Sequence, residues 1–267
     1  MLIAQISDMH VKAAGELLYR RIDTAGFLER AVAHVNALDP RPDIVLATGD
    51  LVEGGTAEEY ALLRRLLAPL AMPVYLIPGN HDARDALRAA FADHAYLPPS
   101  GFLQYTVENQ AVRLIALDTL VPGKGYGALC AERLDWLEAR LAEGDRPTIL
   151  FMHHPPFDCG IDAFDNFKLN QGHERLAGIV RRHDNVERVI CGHVHRPIQV
   201  RWAGTMASIA PSTAHQATLD LHDKAPLSMM MEPPGLALHL WRPGTGLVTH
   251  VSYIGTYDGP RPFRSTQ

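Results

Sequence analysis

The fold is decided by a stretch with two similar halves, Thr-Ile-Leu-Phe-Met-His-His-Pro-Pro at residues 148–156 and Val-Ile-Cys-Gly-His-Val-His at residues 189–195. Each half is a short apolar run that ends in histidines, the pattern of a buried strand with imidazoles at its carboxyl end. Three earlier segments share it: residues 2–10 end in Asp-Met-His, residues 44–50 in Gly-Asp, and residues 74–82 in Gly-Asn-His-Asp. We therefore expect five strands to carry Asp, His and Asn at their carboxyl ends.

The composition is that of a globular protein. The chain has 267 residues, of which 47% are hydrophobic, and this length and composition support a substantial core. The net charge of −5 and the absence of Lys or Arg runs disfavour a nucleic-acid polymer as partner. The apolar stretches are strand-sized and no signal peptide is visible, so we expect a cytoplasmic protein without a membrane partner. Cys130, Cys159 and Cys191 are too dispersed for a disulfide framework.

The periodicity of apolar residues predicts an α/β fold. Helical spacing indicates helices at residues 24–38, 57–70, 83–91, 131–141 and 172–182. They alternate with the strands described above, which is typical of a parallel sheet. Two predicted hairpins, at residues 103–117 and 197–209, break that pattern and indicate mixed sheets. The glycine-rich loop at residues 122–127 lacks the Gly-Lys-Ser/Thr ending of a nucleotide-binding loop, so we interpret it as a turn.

Seven oxygen or nitrogen donors stand at the predicted strand ends. Ligands of open α/β sheets bind at the carboxyl ends of strands, so these side chains are expected to meet in space. They are Asp8, His10, Asp50, Asn80, His154, His193 and His195. Seven donors are more than one ion normally takes from a protein, and a carboxylate can bridge two ions. The sequence therefore predicts two metal ions about 3.5 Å apart, for which the donors suit Fe, Mn, Zn or Co.

The five motifs, in this order, resemble those of the calcineurin-like binuclear metallophosphoesterases. The residues that flank the motifs are similar to those of the class III cyclic-nucleotide phosphodiesterase and glycerophosphodiesterase branch. The matching segments are Ile-Ser-Asp at residues 6–8, Tyr-Leu-Ile-Pro-Gly-Asn-His-Asp at 75–82, Phe-Met-His-His-Pro-Pro at 151–156 and Ser-Thr-Ala-His-Gln at 212–216. The resemblance implies a four-layer αββα sandwich, in which two mixed β-sheets are flanked by helices, with a small C-terminal cap or oligomerisation segment.

The resemblance also implies a ligand set for each ion. One ion is expected on Asp8, His10, Asp50 and His195, and the other on Asp50, Asn80, His154 and His193, so that Asp50 is the bridge. Only one of the neighbours His153 and His154 can face the metals from a strand, since adjacent side chains point to opposite sides. The family pattern assigns His154, which leaves His153 out. A hydroxide held by the ions would attack phosphorus in line.

Further residues are expected around the substrate. His81, which follows Asn80, is expected to stabilise the pentacoordinate state or to protonate the leaving alkoxide, and Asn80 to lie beside the phosphate. Asp82 and Glu53 are both candidates to orient His81, and the sequence does not choose between them.

Three more residues stand near the expected site. His215 resembles a substrate-side histidine of this branch, with a surface histidine as the alternative interpretation. Tyr19 and Arg20 could contact a leaving group, although a solvated loop is the favoured interpretation.

The expected organisation is a catalytic domain at residues 1–210, a cap or oligomerisation segment at 211–235, and strands returning to the catalytic domain, with a tail, at 236–267. The methionines at positions 229–231 are interpreted mainly as core filling, with a contact surface as the alternative. A homo-oligomer is expected.

The leading hypothesis for function is a phosphodiesterase for glycerophosphodiesters or 3′,5′-cyclic nucleotides. The alternatives are a phosphomonoesterase or phosphoprotein phosphatase, and a non-catalytic scaffold of the same fold. Protein phosphatases carry Gly-Asp-x-x-Asp-Arg-Gly, and Gly54 stands here in place of that arginine. Because the arginine that would bind a dianionic phosphate is missing, a monoanionic diester is favoured as substrate. A scaffold is disfavoured because such proteins lose metal ligands and this chain retains all seven.

Overall fold

The computed structural model describes residues 1–263 of the chain. The helices are α1 (Thr24–Ala37), α2 (Ala57–Leu67), α3 (Arg84–Ala90), α4 (Ala131–Leu141), α5 (Asp162–Asp165) and α6 (His173–Arg181). The strands are β1 (Leu2–Ile6), β2 (Ile44–Thr48), β3 (Val74–Ile77), β4 (Tyr105–Val107), β5 (Arg113–Leu117), β6 (Gly127–Ala128), β7 (Thr148–Met152), β8 (Leu169–Gln171), β9 (Val186–Cys191), β10 (Ile198–Trp202), β11 (Thr205–Ile209), β12 (Gln216–Ala217), β13 (Met229–Met230), β14 (Gly235–Arg242) and β15 (Gly246–Tyr253).

Two mixed sheets form the centre of the molecule. The first has the order β15-β14-β1-β2-β3, in which β1, β2 and β3 are parallel and the last two strands of the chain are antiparallel. The second has the order β10-β11-β9-β7-β5-β4, parallel in its middle and closed at each edge by a hairpin strand. Both predicted hairpins are therefore confirmed, and so are the mixed sheets.

Three apolar cores define four layers. One core lies between the sheets and contains Ile3 and Leu46 from the first sheet with Phe151 and Ile190 from the second. Another packs α1, α2 and α3 against the outer face of the first sheet, and the third packs α4 and α6 against the second. Because both faces of each sheet are covered, the central strands are mostly apolar. The αββα sandwich is confirmed.

The helix boundaries follow local capping. The Asp23 carboxylate accepts a hydrogen bond from Gly26 N before α1, and Thr56 with Glu59 forms a capping box at the start of α2. The second predicted helix ends at Leu67, three residues earlier than expected. The short helix α5, at Asp162–Asp165, is not among the helices expected from the sequence.

Two glycines let the sheets approach each other at the carboxyl ends of their strands. Gly49 has φ +90°, and a Cβ atom there would lie 2.5 Å from His153 Nδ1. A Cβ atom on Gly192 would lie 2.0 Å from Ser7 Oγ. Only glycine fits at such distances, so the turn after β2 lies directly against the turn after β7, and the turn after β9 against the turn after β1.

The C-terminal part of the chain first leaves the sandwich and then returns to it. Residues 216–230 include a two-stranded ribbon of β12 and β13, after which β14 pairs with β1. Met230 and Met231 are 46% and 51% exposed, so their interpretation as core filling is wrong. Within residues 1–263, the helices are all too short or too polar to cross a membrane.

Candidate metal centre

Sharp turns at the strand ends aim the polar side chains. Five of these residues have backbones in the left-handed region: Asp8 (φ 55°), His10 (45°), Asp50 (47°), His193 (75°) and His195 (55°). This conformation is uncommon outside glycine, although Asp and His adopt it more readily than most residues. Asp8 and His10 are two positions apart, a spacing that would place them on the same face of an extended strand. Because β1 already ends at Ile6, they do not share such a face. The turn brings them together instead.

Four buried side chains form the first donor cluster. His10 Nε2 lies 3.1 Å from His195 Nε2, and His195 Nε2 lies 3.4 Å from Asp8 Oδ1. Asp50 Oδ2 lies 3.6 Å from His10 Nε2. Ligands bound at 2.0–2.2 Å to one ion are separated by about 3.0–3.5 Å, depending on the geometry. The distances therefore match a shared cation, and all four side chains belong to one group whose donor atoms can reach the same ion.

A second cluster lies on the other side of Asp50. His153 Nε2 is 3.3 Å from Asp50 Oδ2 and 3.2 Å from Asn80 Oδ1. The ring of His193 is buried, and neither of its nitrogens has a hydrogen-bond partner within residues 1–263. Donor atoms of His153, His154 and His193 all lie within 4.8 Å of one another. An unpartnered buried imidazole beside two oxygen donors suits a second cation.

The expected exclusion of His153 from the donor cluster does not match the position of its side chain. It assumed that His153 and His154 both belong to an extended strand, but β7 ends at Met152 and the two histidines lie in a bend. Both rings therefore reach the same cluster. His153 contacts Asp50 and Asn80, whereas the expected ligand His154 directs Nδ1 to Thr119 Oγ1 at 2.8 Å.

Burial and charge set the protonation of the cluster. Burial opposes ionisation of Asp50, but the charge of His153 and its hydrogen bond outweigh it and hold the pKa of Asp50 well below its usual value. The carboxylate in turn raises the pKa of His153 to about 9, against the effect of burial. Burial lowers the pKa of His195 to about 3, which keeps this imidazole neutral and able to donate a lone pair. A cation bound at Asp50 and His153 would displace their shared proton.

Glu53 connects a metal-cluster residue to His81. Its Oε2 accepts a hydrogen bond from His10 Nδ1 at 2.7 Å and lies 3.3 Å from His81 Nδ1. His81 Nδ1 also donates to the Glu53 carbonyl at 3.0 Å, which leaves His81 Nε2 for a ligand. Asp82 has different partners: its carboxylate accepts from Leu51 N, Gly79 N and Tyr60 Oη. Of the two candidates, Glu53 is the one that touches His81.

The donor clusters form the floor of a cavity of about 470 Å³. His81, Asn80 and His215 line it, and His215 stacks edge-on to Tyr19 with ring centroids 6.0 Å apart. Tyr19 lines the cavity, and the residue also remains 58% exposed to solvent. Arg20 is not among the described residues that line it.

The far wall of the cavity is apolar, and the sequence motifs did not predict it. It includes Phe164 from α5, Phe167, and Leu227 and Met229 from the ribbon segment. The carboxylate of Asp162 accepts a hydrogen bond from Lys224 N and so ties α5 to that segment. These residues meet only through the tertiary fold, although the aromatic pair three residues apart was a usable signal.

Comparisons with known proteins agree with this geometry. A model of the calcineurin-like phosphoesterase family matches residues 1–197. A probable glycerophosphodiester phosphodiesterase from Arcobacter nitrofigilis is 40% identical over 264 residues, which cover 98% of this chain and 97% of the relative. A probable cyclic nucleotide phosphodiesterase from Rhodopseudomonas palustris is 36% identical over 260 residues, covering 96% and 93%.

A solved structure supports the fold. The dimetal phosphatase from Danio rerio superposes with a TM-score of 0.68 at 16% identity and covers 96% of this chain and 99% of its own. Together, the match to the family model over most of the sequence and the two donor clusters bear out the resemblance of the motifs. The chain belongs to the calcineurin-like phosphoesterase family.

Proposed function

We propose that this protein is a metal-dependent phosphodiesterase that hydrolyses small phosphodiesters in the cavity above the two donor clusters. The observation that carries the proposal is the convergence of both clusters on the shared carboxylate of Asp50. A carboxylate between two cations is the arrangement that two-metal hydrolysis of phosphate esters requires. The names of the two relatives support diesters as the substrate class.

The contacts support one assignment of ligands. The first ion would be held by Asp8, His10, Asp50 and His195. The second would be held by Asp50 with Asn80, His153 and His193, since His153 has the short distances to Asp50 and Asn80. His154 lies beside this set, and its hydrogen bond to Thr119 fixes its ring.

A matched pair of variants tests the second ligand set. His153→Ala and His154→Ala remove the same number of atoms from fully buried positions. We expect His153→Ala to weaken the second ion by about 100-fold, and His154→Ala to change it by about tenfold at most, the lower end of the range for supporting residues. Calorimetric titration of metal-free protein with Co²⁺ measures both. If His154→Ala weakens binding of the second ion more than His153→Ala does, His154 is the ligand and the assignment to His153 is wrong.

The chain's own residues act around the phosphate. When bound, two such ions lower the pKa of a water molecule and neutralise the charge of the phosphoryl oxygens. Asn80 and His81 lie side by side at the cavity floor, where they orient the phosphate. His81 Nδ1 is fixed by Glu53, so Nε2 is positioned to donate a hydrogen bond to the phosphate or a proton to the leaving oxygen.

The charges around the cavity favour a diester over a monoester. Within residues 1–263 no Lys or Arg lines the cavity, so a dianionic phosphate would lack a bidentate partner there. Asp50 is the only carboxylate in this lining. A diester carries one negative charge, which the two bound ions neutralise. The full set of donors argues against a scaffold.

The proposal is tested by comparing three substrates with the purified, metal-loaded protein. We expect hydrolysis of cyclic AMP and of glycerophosphoethanolamine, and much slower hydrolysis of a phosphomonoester such as p-nitrophenyl phosphate. The wall of Phe164, Phe167 and Met229 suits a leaving group with an apolar face, which favours the nucleotide of the two diesters. A clear preference for the monoester would contradict the proposal.

We also propose that residues 211–235 form a cap through which copies of the chain associate. Five apolar residues of this segment are 46–67% exposed: Leu219, Leu221, Leu227, Met230 and Met231. Clustered exposure of this kind is typical of an interaction surface. We expect a homo-oligomer by light scattering, and a shift to monomer when Leu219 and Leu221 are both replaced by Ser. The same mass for both proteins would place the interface elsewhere.

A further inference from the structure

A buried polar side chain, Gln5, joins the two sheets directly behind the metal-bearing turns. Gln5 lies on β1, fully buried, on the same strand face as Ile3 in the core between the sheets. Its amide nitrogen donates to Thr48 Oγ1 at 2.9 Å in the first sheet and to Cys191 O at 2.8 Å in the second. The strands of Thr48 and Cys191 belong to different sheets, so no backbone ladder connects them.

The hydrogen bonds continue from Gln5 to the edge of the core in one direction. Because the amide nitrogen of Gln5 is used for donation, its oxygen faces His239 Nε2, which donates to it at 3.0 Å. His239 Nδ1 then accepts from Thr249 Oγ1 at 2.8 Å, and Thr249 Oγ1 accepts from Arg188. This order requires a neutral His239, and burial with the nearby Arg188 lowers its pKa to about 3. Every polar atom of the Gln5, His239 and Thr249 side chains that this order uses has a partner.

At its Gln5 end, this series of hydrogen bonds leads to two proposed ligands of the second cation. The carbonyl of Thr48 accepts a hydrogen bond from His153 Nδ1 at 2.8 Å, and Cys191 stands two residues before His193. Strands β7 and β9, which carry these two histidines, pair directly in the second sheet, whereas Asp50 and Asn80 follow β2 and β3 of the first sheet. Loss of the Gln5 contacts would therefore change the separation of Asp50 and Asn80 from the two histidines. The first cation site takes three of its four ligands from the first sheet, so it depends less on this separation.

We propose that Gln5 and His239 are positioning residues that set the separation of the two sheets at the second cation site and thereby the affinity of that site. The proposal rests on the ligand assignment of the proposed function. Neither residue touches the cation or the substrate. They act through Thr48 and Cys191, in the way that partners behind metal ligands orient those ligands.

A pair of substitutions at His239 separates positioning from simple core packing. His239→Gln keeps a nitrogen that can donate to Gln5, whereas His239→Met fills a similar length without a hydrogen bond. Metal-free proteins are titrated with Co²⁺ by calorimetry, and the visible absorption of bound Co²⁺ reports its ligand geometry. We expect His239→Met to weaken binding of the second ion by about tenfold or more, with a smaller loss for the first ion, and His239→Gln to stay close to wild type.

Thr249→Val is the milder variant if His239→Met does not fold, because it interrupts the chain at its outer end. It should weaken the second ion in the same selective way. Equal affinities in wild type, His239→Met and Thr249→Val would overturn the inference, as would a parallel loss at both sites that follows the unfolding temperature. Wild-type protein that binds two Co²⁺ ions but hydrolyses no diester would contradict the proposed function alone. Wild type with a single Co²⁺ site would overturn both.

Discussion

Replacement of Asp50 by Asn should lower kcat/KM for bis(p-nitrophenyl) phosphate by about 10³-fold or more, equivalent to about 4 kcal/mol of lost transition-state stabilisation. The substitution removes the charge that both donor clusters share, since Asp50 Oδ2 lies within 3.6 Å of both His10 Nε2 and His153 Nε2. It also alters the acceptor of the His81 amide, which donates to Asp50 Oδ1 at 2.9 Å. The number of metal ions bound per chain should fall from two to one or fewer. Inductively coupled plasma mass spectrometry measures this number.

Asn is the suitable replacement because it tolerates the left-handed backbone of position 50, where φ is 47°. Circular dichroism should therefore show the same fold in wild type and variant, so that loss of activity is not loss of structure. If the Asp50→Asn protein binds two ions and its turnover is close to wild type, Asp50 does not bridge the two ions.

Replacement of His81 by Ala should lower kcat by about 10³-fold for a diester with an alkyl leaving group, within the range for a positioned proton donor. The effect should be much smaller for a p-nitrophenyl ester, whose leaving group departs without protonation. His81 is about one-third exposed and lies outside both donor clusters proposed above, so its loss should leave the binding of two ions unchanged. Rates for the two esters and the metal content of each protein measure the effect.

The same comparison distinguishes the two roles considered for His81. Equal losses for alkyl and aryl esters would mean that His81 stabilises the phosphoryl oxygens and does not protonate the leaving group. Unchanged rates for both esters would exclude His81 from the reaction and leave Asn80 as the neighbouring contact.

Much of the architecture could be predicted because it follows from patterns along single segments. Apolar runs that end in Asp, His or Asn identified five parallel strands of the two sheets, and the two hairpins identified the edges of the second sheet. Apolar periodicity placed the centre of each long helix, while the ends depended on local chemistry such as the Thr56–Glu59 capping box. The layer order came from the resemblance of the motifs and was then confirmed by the three cores.

The site was less predictable where the backbone departs from regular structure. The alternation of side chains in a strand was applied to His153 and His154, but the strand ends one residue before them. The choice between Asp82 and Glu53 could not be made from spacing, because Tyr60 and two backbone amides occupy the Asp82 carboxylate. The apolar cavity wall joins α5 to residues about 60 positions later, a contact with no local pattern.

The left-handed turns also restrict how the metal preference of this protein can change. At Asp8, His10, Asp50, His193 and His195, a replacement must fit both the ion and a backbone with positive φ. Asn, Asp, His and Gly meet the second condition readily, whereas a β-branched or longer side chain adds about 1–2 kcal/mol of strain at each position. A thiolate-rich or glutamate-rich site is therefore opposed by the turns before any metal binds. At these five positions, the ligand replacements that fit the backbone are those among nitrogen donors and short-chain oxygen donors, whether they arise in evolution or by engineering.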